Sequence, residues 1–169
     1  MTTRITYNNH FMAKKILIAV ICLISINAKA QSLTGNEFMD AYINELEENK
    51  KTLVDNWERP YKRAGVEIES DIYYSKKSRS IVQWTRFSSK KIFSGFTTAV
   101  LSSIEKSYFE TLRAVMLRED PSGETLNEFV EAVKETEINY RWIFVYKDKS
   151  VVEITDTDEI LYYLGAFSK

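Results

Sequence analysis

The stretch Ile138-Asn139-Tyr140-Arg141-Trp142-Ile143-Phe144-Val145-Tyr146, followed by Lys147-Asp148-Lys149-Ser150 and Val151-Val152-Glu153-Ile154, decides the fold. Tyr140, Trp142, Phe144 and Tyr146 occupy alternate positions. Successive strand residues point to opposite faces, so these four aromatics share one side. Two β-branched and aromatic runs split by a polar tetrad read as a β-hairpin. Arg141, between Tyr140 and Trp142, points the other way, which fits a sheet covered on one side only. An aromatic row can bind sugars or peptides. Opposite a hairpin mate it is more often core, and Trp142 and Phe144 are expected there. Trp57 and Trp84 fit either role.

Upstream, Val66, Ile68, Ile72 and Tyr74 alternate with Glu67, Glu69, Asp71 and Tyr73, again with a period of two. Lys76-Lys77-Ser78-Arg79 connects this run to Ile81, Val82, Trp84 and Phe87, giving an earlier hairpin. Helical periodicity surrounds both hairpins. Thr34 to Glu37 has capping-box spacing, and Met39, Tyr42, Ile43, Leu46, Leu53 and Trp57 predict a helix over 35–57 that stops near Pro60. A central helix is predicted over 90–118 on the stripe Phe93, Phe96, Val100, Ile104, Tyr108, Leu112 and Val115. Asp120 to Gly123 reads as a turn, Thr125 to Glu128 as a second capping box, and Asp156 to Glu159 as the cap of a short last helix. The expected fold class is α+β, in the order α-ββ-α-α-ββ-α: an antiparallel sheet built from two β-hairpins with helices packed on one face.

The N-terminal region sets the compartment. Met12 to Ala30 combines Lys14 and Lys15, an apolar core from Ile16 to Ile26, and Ala28-Lys29-Ala30 before Gln31, the three parts of a cleavable signal peptide. The apolar core is far short of the roughly 20 residues that cross a bilayer. Cys22 follows the bulky Ile21, against lipid attachment. Cleavage is expected between Ala30 and Gln31. Residues 1–11 read as an upstream extension, with translation starting at Met12, and 31–169 as a single globular domain with no transmembrane anchor.

Cleavage at that point removes Cys22 and His10, the only cysteine and the only histidine. A chain without either has no Cys/His zinc site, no disulfide and no histidine-based nucleophile system. No metal or cofactor is expected. Loss of Arg4, Lys14, Lys15 and Lys29, and of no acid, moves the formal charge from −1 to about −5.

From Ile72 to Ile104 there is no acid, while Lys76, Lys77, Arg79, Arg86, Lys90 and Lys91 fall within it, interleaved with Trp84. These seven residues are the candidate binding set. In an exported protein they suit an acidic protein surface, an anionic glycan or a lipid headgroup rather than nucleic acid. The plainer reading is a solvated hairpin tip whose lysines protect a sheet edge. Lys90 and Lys91 would sit at a helix N-terminus, where the macrodipole disfavours cations. Glu67, Glu69 and Asp71 share one strand face about 7 Å apart, within the range of glycosidase carboxylates. A solvent-facing strand side produces the same pattern. The expected function is that of an exported, periplasmic or secreted bacterial binding protein recognising an envelope protein partner, as an inhibitor or immunity-type protein does. The alternatives are an anionic glycan- or lipid-binding module and a carboxylate-based hydrolase.

Overall fold

A computed structural model describes residues 34–166; the leader Met12–Ala30 and the Ala30–Gln31 junction lie outside them. Among the described residues the chain is α+β, with a four-stranded mixed sheet and five helices. Helix α1 (Gly35–Arg63) leads into β1 (Ile68–Ser75) and β2 (Ser80–Phe87). Three helices follow: α2 (Lys90–Phe93), α3 (Thr98–Glu119) and α4 (Glu124–Thr136). The chain closes with β3 (Asn139–Tyr146), β4 (Lys149–Thr155) and α5 (Thr157–Tyr163).

The sheet order is β1-β2-β3-β4. Each hairpin is antiparallel, but β2 and β3 pair in parallel, with Ser80 opposite Asn139 and Arg86 opposite Val145. This corrects the expectation of an antiparallel sheet. The cause is the helical connection: parallel neighbours need a long crossover, and α2, α3 and α4 carry the chain from the end of β2 back to its start. Composition explains why β2 and β3 are central. They hold the buried Ile81, Thr85, Phe87, Tyr140, Trp142 and Phe144, whereas the edge strands carry Glu69, Asp71, Lys149 and Glu153.

The capping box at the start of α1 forms as expected: the Glu37 N–H donates to Thr34 Oγ1 at 3.3 Å, and the Thr34 N–H donates to Glu37 Oε2 at 2.8 Å. The helix then runs through Pro60 to Arg63 instead of stopping before it. Tertiary anchoring outweighs the lost hydrogen bond. Tyr61, one residue on, packs edge-on to Phe87 at 5.6 Å, and Trp57 stacks on Phe144 at 6.1 Å. Gly65, at φ 72°, turns the chain toward β1. The predicted 90–118 helix divides in two, with Gly95 and the buried Phe96 between α2 and α3.

At α4, Thr125 is inside the helix and buried, so no capping box forms there. Asp120 caps the turn instead, accepting the Thr125 N–H and hydroxyl, both at 2.8 Å. Asp156 caps α5 by accepting the Glu159 N–H at 2.9 Å.

The core fills one side of the sheet. Phe38, Met39, Tyr42 and Leu46 of α1 meet Phe129 and Val133 of α4, Phe109 and Leu112 of α3, and Ile160 and Leu161 of α5 over Ile81 and Tyr140. A second cluster joins Phe87, Phe96, Leu101, Trp142 and Phe144, with Trp57 against it. The Tyr140 hydroxyl lies 2.6 Å from that of Tyr42 and 3.3 Å from that of Tyr108, so the aromatic row is core, as the alternation predicts.

Candidate functional site

The other side of the sheet carries Tyr73, Val82, Trp84, Ile143, Val145, Val152 and Ile154, and none of these belongs to either core cluster. Tyr73 is 38% exposed, Val152 47% and Ile154 46%, while Trp84, Ile143 and Val145 are half-buried among their neighbours and Val82, at the centre, is buried. The face exists because alternation places two sets of apolar residues on β2, β3 and β4, and the helices cover one set. The Arg86 guanidinium lies over the Trp84 ring, 4.9 Å from its centroid, and also reaches Glu69 at 3.2 Å. Arg141 shares the face, with its Nε donating to Asn139 at 3.4 Å.

The seven candidate binding residues do not form one patch. Lys76 and Lys77 are exposed in the turn between β1 and β2. Beside them Arg79, at φ 46°, is ion-paired with Glu137 at 2.5 Å. Trp84 and Arg86 meet on the uncovered face. Lys90 and Lys91 are exposed on α2, past the far end of β2, roughly 20 Å from the hairpin tip at about 3.3 Å per residue. Because α2 is a single turn capped by Ser89, the dipole penalty foreseen for the two lysines is small.

The acid row is equally open. Glu69 is paired with Arg86, and Asp71 holds Lys50 at 2.8 Å and the Ile72 N–H at 2.9 Å. Glu69 and Asp71 lie on one strand face, each committed to its own cation, while Glu67 falls just before β1, where its C=O accepts the Ser88 N–H at 3.1 Å. Asp71 and Glu47 have a structural use instead. The Ile72 and Tyr74 N–H groups point off the edge of the sheet, and Glu47 of α1 takes the latter at 3.3 Å.

One titratable group escaped the sequence reading. Glu105, 3% exposed, projects from α3 under the helical layer, and its Oε1 has no hydrogen-bond partner. Burial pushes its carboxyl up to about 7, and the Glu153 and Glu159 charges add to that. The Thr155 hydroxyl is near enough to favour the anion but makes no hydrogen bond in this arrangement. Glu153 is held by the Ser102 hydroxyl at 2.9 Å. The signal was present in the sequence: Glu105 lies four residues from both Leu101 and Phe109, which places it on the buried stripe.

Among the described residues no cluster of histidine, cysteine and acidic side chains is arranged to hold a metal ion, and no helix is long and apolar enough to cross a membrane. No protein-family model matches the chain, and neither the curated proteins nor the solved structures contain a match to it.

Proposed function

We propose that this is an exported binding protein that recognises a protein partner through the uncovered face of its sheet, in the manner of an inhibitor or immunity-type protein. The carrying observation is the Arg86 guanidinium over Trp84 on a face that also presents Tyr73, Arg141, Val152 and Ile154. Tryptophan, tyrosine and arginine dominate the energetic centres of protein interfaces, where each combines a large apolar area with directed hydrogen bonding. The two arginines favour a partner with acidic side chains around an apolar centre. Export follows from the leader-like segment Met12–Ala30.

The test is capture from envelope extract of the source cell at low salt, with wild type and a Trp84→Ala/Arg86→Ala pair compared. Wild type is expected to retain a saturable partner whose binding the double substitution weakens at least tenfold, while Lys76→Ala/Lys77→Ala changes it little. No saturable partner, or one retained equally by the Trp84/Arg86 variant, overturns it. Loss with the lysine variant alone would favour the anionic glycan or lipid reading, which the exposed Lys76 and Lys77 support.

A further inference from the structure

The two edges of the sheet are treated differently. On β1, α1 lies alongside, and two outward N–H groups are taken by Glu47 and Asp71. On β4 nothing comparable exists among the described residues. Lys147 and Asp148 form a two-residue turn, so Tyr146 and Lys149 close the hairpin as a hydrogen-bonded pair. Bonded and non-bonded pairs alternate from there. Lys149, Val151, Glu153 and Thr155 therefore bond to β3, and Ser150, Val152 and Ile154 turn their N–H and C=O groups off the sheet. Those three amides make no hydrogen bond to a described residue. Their side chains lie on the uncovered face, with Val152 and Ile154 nearly half exposed.

We infer that this edge pairs with the same edge of a second copy, β4 antiparallel to β4 across a two-fold axis at Val152, making one continuous eight-stranded sheet. The strand is built symmetrically for this. Val152 is the middle of Lys149–Thr155, and the outward residues Ser150 and Ile154 flank it at equal distance. With Val152 opposite the partner's Val152, Ser150 meets the partner's Ile154, and every outward N–H finds an outward C=O. No other placement of the axis satisfies all of them. Charge agrees: on the helix-covered side Glu153 falls diagonally across from the partner's Lys149, within reach of a long side chain. From α3, the Ser102 hydroxyl donates to Glu153 of β4 at 2.9 Å. An isologous two-fold interface of this kind is the commonest route to a homodimer. It would join the two uncovered faces into one surface.

This inference is independent of the recognition reading, since it rests on a backbone edge and not on Trp84 or Arg86; a monomer would leave the capture test standing. Sedimentation velocity of the full chain from low micromolar to submillimolar concentration is expected to show one chain passing to two. Val152→Pro deletes an outward N–H that the hairpin does not use, so the variant keeps the wild-type circular dichroism and stays at one chain throughout. Should the proline disturb the strand, Val152→Lys places two like charges face to face at the axis and is expected to give the same result. In a Cys22→Ser background, Val152→Cys is expected to form an interchain disulfide and Ser150→Cys alone is not, because only position 152 meets itself. A wild type that remains one chain, a folded Val152→Pro or Val152→Lys that dimerises like wild type, or a monomer whose Ser150, Val152 and Ile154 amides resist hydrogen exchange would overturn it. The last result would assign the edge to residues of the same chain outside 34–166.

Discussion

Glu105 is the side chain least suited to its surroundings. It is a buried acid whose neighbours include two more acids, Glu153 and Glu159, and one carboxyl oxygen has no partner. Its folded pKa, about 7, stands above the ordinary value of 4.5. A group with a raised folded pKa contributes its full stability below the unfolded value and loses it as pH rises through the folded one. The Glu105 contribution should therefore be lost between about pH 4.5 and pH 7, and that loss should be absent from Glu105→Gln. Denaturant titration should find the two alike near pH 4 and the variant ahead by roughly 1–3 kcal/mol at pH 8. A variant less stable than wild type at pH 8 would show that the ionised carboxylate is held by something the burial argument omits. The residue was readable as buried from its place between Leu101 and Phe109, but not as an acid near acids, because Glu153 and Glu159 arrive from strands and helices far along the chain. Trp57 and Trp84 divide for a similar reason. Trp57 donates to Thr85 at 3.0 Å beneath the helices, while Trp84 lies on the outer face.

At the scale of elements, helix ends were legible and helix continuity was not. Thr34 and Asp156 cap as their spacing predicts. Pro60 fails to stop α1 because Tyr61 and Trp57 are anchored by long-range aromatic contacts that no local pattern reveals. The spacing points to Thr125 as the start of α4, yet the carboxylate that serves it is Asp120. The hydroxyl of Ser122 and the N–H and hydroxyl of Thr125 hold that carboxyl well below its ordinary range. A depressed folded pKa contributes stability above the unfolded value that is lost as pH falls. Asp120→Ala should lower the melting temperature at pH 7, and the gap should narrow steadily as pH is taken below 4. Glu137 ends the same helix at φ 49°, in the left-handed region that costs a non-glycine residue about 1 kcal/mol. Its ion pair with Arg79 is exposed at both ends and offsets little of that. Glu137→Gly should stabilise the protein by about 0.5–1 kcal/mol in chemical denaturation.

At the scale of the molecule, the α+β class follows from two hairpins embedded in helical periodicity. The parallel centre does not. Alternation reports which side of a strand is apolar and says nothing about which strands pair, so β2 beside β3 emerges only when the helical crossover is traced. The extended length of β2 separates basic residues that are close in sequence, with Lys76 before the strand and Lys90 after it. The crossover then sets β3 beside β2, so that Tyr73, Trp84 and Arg86, and Ile143 and Arg141, lie side by side on one face. No helix among the described residues covers this face, and in the proposed function a partner does. Hydroxyl-radical footprinting of the tryptophans, alone and with the captured partner, checks this. Rapid oxidation of Trp84 in the free chain, slow oxidation of the 4%-exposed Trp142, and a several-fold slowing at Trp84 alone on addition of the partner are expected. Trp84 as slow as Trp142 in the free chain, or unchanged in saturating partner, would contradict it.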